Sequence, residues 1–274
     1  MKYKFIVAIL IIFVSTFCGA CSCQQEEYLL GSWWWHKRID ADKYLDFAES
    51  NNVNEIYYYG GTLGDDTRTF ISKANSKDID VYLLDGNKDW LLDSSELYQL
   101  VDDYIEYQSN YPDANFVGIH LDIEPHQLSD FDDKRYEYIY SLISLCYDLS
   151  VEYPTIKFDY DIPFWLNDQI EFNNETKEAY KHIIDIANRV FVMSYRDTAE
   201  KIYDIAKDEV NYAISKNKTL FLCVETNSDE GEQVSFLEDG KSVMYNEIDL
   251  LRGMIPDNFG VSIHYIETWY DLKD

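Results

Sequence analysis

Eight short runs dense in Val, Ile, Leu, Phe and Tyr recur along this chain, with starts about 33 residues apart. That spacing constrains the fold more than any other feature. It leaves room for one strand and one crossover helix per unit, which a parallel sheet needs and an antiparallel meander does not. The runs are Leu29–Trp35, Val53–Tyr59, Ile79–Asp85, Asn115–Glu124, Thr155–Ile162, Arg189–Tyr195, Lys218–Glu225 and Phe259–Glu267, each bounded by Gly, Asn, Asp or Pro.

Between the runs, apolar residues return at helical spacing over Asp40–Asn51, Ser94–Tyr111, Asp132–Tyr153, Asn174–Asn188, Thr198–Lys216 and Ser242–Met254. Eight strands joined by helical crossovers predict a single (β/α)8 TIM barrel, an α/β fold with parallel strands. An open doubly wound sheet is the alternative, but no Gly-rich phosphate turn follows any strand. Thr268–Asp274 is too short for a full eighth helix, so the last helix is expected to be reduced or missing. No linker, repeat or second domain is legible.

The first residues read as an export signal. Lys2 and Lys4 precede an apolar run from Phe5 to Phe17, and small residues follow. The run is short for a membrane span. Gly19-Ala20-Cys21 resembles a bacterial lipoprotein cleavage box, with Cys21 as the lipidated residue and Cys18 where an aliphatic residue is usual. The expected layout is a signal peptide over 1–20, a tether over 21–27 and a barrel over 28–274. Plain secretion or an uncleaved anchor are the alternatives. A membrane is thus expected to be met only through a lipid, on an exported protein.

With 51 Asp plus Glu against 23 Lys plus Arg, the net charge is -28. This disfavours nucleic acid and anionic lipid as partners, and a neutral or amino sugar suits it better than an anionic polymer. A monomer is expected. Outside the export region only Cys146 and Cys223 remain, both in apolar runs, and they are expected to be buried thiols rather than a disulfide.

In such a barrel, chemistry gathers at the carboxyl ends of the strands. The fourth run ends His120-Leu121-Asp122-Ile123-Glu124, so alternation puts His120, Asp122 and Glu124 on one face and aliphatic residues on the other. Neighbouring carboxyls repel when both ionise, so one should keep a proton near neutral pH, as a general acid for glycosidic cleavage must. The bland reading is a buried polar ladder. A metal on these three residues is not expected, because one strand alone lacks the convergence a site needs, and no cofactor is implied.

Val117-Gly118-Ile119-His120-Leu121-Asp122-Ile123-Glu124 resembles the strand-4 signature of family 18 glycoside hydrolases, the chitinase-like barrels, which ends in Asp-x-Glu. The resemblance implies that Glu124 is the proton donor and that Asp122 orients the substrate's acetamido group. Met193-Ser194-Tyr195 resembles the family's Met-x-Tyr, whose Tyr holds the same group, and Trp269 resembles its sugar-stacking Trp. Val117 and His120 stand where the family has its first two acids, and the family's glycine-rich strand-3 motif is absent. Glu124-Pro125, with Glu225 after strand 7, also resembles retaining glycosidases with acids on strands 4 and 7, though Ile123 replaces their Asn. That alternative makes Glu225 the nucleophile. A third possibility is a barrel that binds glycans without cleaving them. Trp34, Tyr58, His120, Asp161, Met193, Glu267 and Trp269 complete the expected sugar-binding set.

Overall fold

The computed structural model describes residues 28–35, 41–227, 231 and 233–274. The expected export signal and Cys21 lie outside the described residues. Eight parallel strands close a barrel, as the spacing predicts. They are β1 (Leu29–Trp34), β2 (Glu55–Tyr59), β3 (Asp80–Asp85), β4 (Ile119–Leu121), β5 (Phe158–Pro163), β8 (Arg189–Met193), β9 (Thr219–Glu225) and β10 (Gly260–His264), with β10 pairing back onto β1.

Helices α1 (Ala41–Ser50), α2 (Asp65–Asn75), α3 (Ser95–Asn110), α4 (Arg135–Glu152), α5 (Ala179–Ile186), α6 (Ala199–Ile205), α7 (Lys207–Lys216) and α8 (Lys241–Arg252) wrap the sheet. Each buries the apolar stripe its sequence carries: Tyr44, Leu45 and Ala48 on α1, Leu97, Val101, Tyr104 and Tyr107 on α3. Cys146 and Cys223 are both free and buried. No described helix is long and apolar enough to cross a membrane.

Three local departures have physical reasons. The run expected to be helical from Asn174 instead begins with a hairpin, β6 (Gln169–Phe172) and β7 (Glu175–Glu178). Its two-residue turn is Asn173-Asn174, with φ of 51° and 65°; Asn tolerates this left-handed region, and such turns match the twist of paired strands. The Thr198–Lys216 helix breaks at Ala206 into α6 and α7. The last strand stops at His264 rather than Glu267, and α9 (Ile266–Asp271) follows as the reduced final helix.

The barrel interior is itself a packed layer of Trp33, Tyr57, Tyr82, Leu84, Phe191, Phe221 and Cys223. A side chain on Gly260 would strike the Phe221 ring, so the large inner rings require a bare backbone beside them. Below this layer, Arg189 ties three strands together. Its Nη1 donates to both Glu55 carboxylate oxygens (2.7 and 2.8 Å), and its Nη2 and Nε donate to Asp159 Oδ2 (2.7 and 3.0 Å). Tyr82 lies under the guanidinium at 4.4 Å. These groups seal the amino-terminal end and leave the carboxyl end for chemistry.

Candidate active site

β4 pairs with β5 in the register His120↔Asp159 and Leu121↔Tyr160. The ladder ends at Leu121, shorter than the expected run to Glu124, but the Asp122 amide still donates to the Asp85 carbonyl at 3.0 Å. Continuing the register sets Asp122 beside Asp161, both facing inward. His120 is fully buried beneath them, stacked on Tyr57 with ring centroids 4.3 Å apart. Pro125–Gln127 then turns as a short 3-10 helix that leaves Glu124 at the rim.

Gly86 lets the β3 loop lie against this segment, because a Cβ there would collide with the Asp122 carbonyl. Gly86→Ala is expected to cost about 1–3 kcal/mol of stability and, by displacing Asp122, to lower activity by about tenfold or more. Urea denaturation and turnover measured together check both effects.

The acids at the mouth hold protons more tightly than usual. Burial, then the charge of Asp122, lifts Glu124 to about 7, with His126 and His264 opposing. Burial and the charge of Asp161 lift Asp122 to about 8, again with His264 opposing. Asp161 is raised well above the ordinary range, chiefly by burial. Glu124 accepts a hydrogen bond from Gln127 Nε2 and lies 3.5 Å from His126 Nε2. The edge-on Trp165 ring packs on His126 at 5.3 Å between centroids. Tyr195 follows β8 and stacks on His264; burial, then the charges of Glu225, Asp161 and Asp122 among others, pushes its phenol well up. Met193, half-buried, closes β8 opposite Pro163.

Glu225 is 1 % exposed and both its oxygens are engaged. Oε1 accepts the Thr226 and Asn227 amides at 2.7 Å each, and Oε2 meets His264 Nδ1 at 2.6 Å. One oxygen thus meets two backbone amides and the other an imidazole. The Glu225 contact is the main one raising the His264 pKa against burial, which favours an imidazolium beside the acids.

Five expected sugar contacts are placed elsewhere, the first being His120, which lies fully buried below the mouth acids. Trp34 and Tyr58 point outward and pack with Tyr44 and Phe70 under the helices. Their neighbours of opposite parity face inward: Trp33 and Tyr57 in the core, Trp35 and the 38 % exposed Tyr59 at the rim with centroids 5.9 Å apart. Trp269 is fully buried, donates to Tyr245 Oη and packs on Phe47. Glu267 shares α9 with it, and its charge reaches Tyr44 on the helix side of the sheet. Both follow from the early end of the last strand, which turns those residues into a helix.

At the barrel mouth the structure adds His264, His126 and Trp165, none of them among the expected site residues, and from the two aromatic runs it brings Trp35 and Tyr59 in place of Trp34 and Tyr58. His264 was legible only as the last inward residue of the last strand; the rest needed register or tertiary proximity. Among the described residues no group of three or more His, Cys, Asp or Glu could hold a metal ion.

No protein-family model matches the chain, and no curated protein sequence does. Solved structures do match in fold. A putative chitinase A from Streptomyces coelicolor superposes with a TM-score of 0.57 at 12% identity, over 90% of this chain and 94% of that one. A class V chitinase mutant from Nicotiana tobaccum, solved in complex with NAG4, gives 0.56 at 10% identity over 88% and 99%. The glycoside hydrolase domain of PelA from Pseudomonas aeruginosa gives 0.50 at 11% identity over 88% and 96%. In fold, this chain is a divergent chitinase-like (β/α)8 barrel.

Proposed function

We propose that this protein is an exported glycoside hydrolase of N-acetylated glycans, carried on the cell surface by a lipid on Cys21. One observation carries the catalytic part. At the carboxyl end of a chitinase-like barrel, Glu124, its side chain 19% exposed, is raised to about 7 beside a second raised acid, Asp122. A carboxyl protonated near neutral pH is what leaving-group departure needs. In this reading Glu124 protonates the glycosidic oxygen. The substrate's own acetamido carbonyl attacks the anomeric carbon, while Asp122 and Tyr195 orient and polarise that group. Glu124, now a carboxylate, then takes a proton from the water that opens the intermediate.

The engagement of both Glu225 oxygens supports attack by the substrate over attack by the enzyme. Trp35 and Tyr59 present aromatic surface at the rim, suited to sugar faces. The test is a hydrolysis screen of chitin oligosaccharides, their de-N-acetylated counterparts and plain β-glucans. Cleavage confined to substrates with an acetamido group beside the scissile bond is expected. Equal cleavage of plain glucans would overturn substrate assistance, and binding without cleavage would reduce the protein to a glycan receptor.

A further inference from the structure

Outside the barrel mouth, a groove separates the chain leaving β3 from the outer face of α4. We infer that this groove is a second glycan-binding site, one that holds an uncharged sugar chain. It shares with the proposed function only the class of ligand, and it requires no cleavage.

The groove is built where β3 ends. After Asp85-Gly86-Asn87 the chain makes a short 3-10 helix, Lys88–Leu91, with Asn87 Oδ1 accepting the Asp89 amide at 2.9 Å. This helix packs against α4 and against the Pro125–Gln127 turn that follows Glu124. The groove is therefore a neighbour of the rim. Its volume of about 330 Å³ is within the range of small-molecule sites. Trp90 and Leu145 are its buried residues, and Leu92 and Tyr140 stand exposed beside them.

Four polar groups along it have no partner among the described residues. Trp90 is 5 % exposed, and its Nε1–H is buried and meets no acceptor. Such a donor destabilises the fold until an oxygen meets it. Ser94 stands at the N-cap of α3, yet its side chain makes no capping bond. Ser141 and Ser144, about one turn apart on α4, make no hydrogen bond either. A helix serine can bond its hydroxyl to the preceding turn, as Ser50, Ser150 and Ser215 do. Those of Ser141 and Ser144 are left for a ligand.

These groups select the ligand class. Tyr140 is 41 % exposed and is braced by Tyr136 and Phe172, with centroids 6.4 and 5.7 Å away. Its ring gives apolar surface to the C–H side of a sugar, while the hydroxyls and the indole N–H suit sugar oxygens. An acyl chain would leave those polar groups unmatched. Among the described residues lining the groove, Asp148 carries the one charge, which disfavours an anionic ligand.

The test titrates the full chain, carrying Glu124→Gln to keep the ligand whole and 15N in its Trp indoles, with chitin tetrasaccharide. Trp90→Phe, Trp35→Phe and Trp165→Phe assign the groove and mouth signals. The Trp90 signal should move saturably. Tyr140→Ala should weaken that titration by about fivefold or more while leaving those of Trp35 and Trp165 unchanged. Ser141→Ala with Ser144→Ala, which removes two unpartnered hydroxyls from a helix surface, should do the same. A Trp90 signal that stays still while the mouth signals move, or that moves unaffected by these variants, overturns the proposal. A signal that follows protein concentration instead of glycan assigns the groove to a second copy of the chain and also overturns it. If Trp90→Phe does not fold, calorimetry of the Glu124→Gln chain decides: two tetrasaccharide sites are expected, one weakened by the double serine variant, and a single site overturns the proposal. Binding at Trp90 in a protein that cleaves nothing leaves this proposal standing and sinks the hydrolase reading; cleavage with a silent groove does the reverse.

Discussion

Glu124→Gln is expected to lower turnover by about 10²–10⁴-fold while leaving glycan affinity nearly intact, because Gln fills the same volume and cannot deliver a proton. Rates on a cleaved oligosaccharide, compared with binding by calorimetry, check it. Turnover within a few-fold of the native protein would remove Glu124 from the mechanism. The pH profile adds a second signature. Glu124 is protonated below about 7, so the native rate should fall as pH rises through that value, and residual activity in Glu124→Gln should lack this limb.

Stability gives a third signature, with its sign fixed by linkage. The folded carboxyl is raised from 4.5 to about 7. Between those values the folded state binds more protons than the unfolded chain, so native stability declines as pH rises across the window. Gln cannot ionise. Glu124→Gln should therefore unfold at a higher temperature than the native protein above pH 7, and the advantage should vanish near pH 4. A gain in stability with loss of activity is the pattern of a residue retained for chemistry rather than for the fold.

Arg189→Ala is expected to have the largest effect on stability. Arg189 is about one-tenth exposed and is the shared partner of Glu55 and Asp159. Removing it leaves two carboxylates facing each other inside the barrel, a loss of about 3–5 kcal/mol. For a domain of this size that is a fall of roughly 10 °C or more in melting temperature. Thermal unfolding near neutral pH measures it. Burial already raises Glu55, so acidification should recover part of the loss by neutralising it. A drop under about 1 kcal/mol would show that the three groups are wet and that the barrel is not sealed there. Arg189→Lys should fall between, because an ammonium cannot reproduce the two-sided fork.

The acids at the barrel mouth were readable because aliphatic and ionisable residues alternate in His120-Leu121-Asp122-Ile123-Glu124. Only one parity buries the aliphatic set against the helices, so the sequence itself states which side faces in. The runs Trp33-Trp34-Trp35 and Tyr57-Tyr58-Tyr59 carry no such statement. A one-residue shift exchanges identical rings, so Trp34 and Tyr58 could not be told from Trp33, Trp35, Tyr57 and Tyr59 until strand register was known. Trp269 failed for a different reason: Phe259–Glu267 has strand composition throughout, but only its first half finds a ladder partner.

What the sequence determined by itself was the barrel and its acidic fourth strand. Both rest on local periodicity, which hydrophobic burial imposes on any chain that must cover a sheet. The tertiary structure alone decided the partners of those acids: Asp161 beside Asp122, His264 on Glu225, Arg189 between Glu55 and Asp159. These pairs join strands 30 to 134 residues apart. Their proton and charge balance depends on which side chains meet in the closed interior, and closure and register fix that where spacing along the chain cannot.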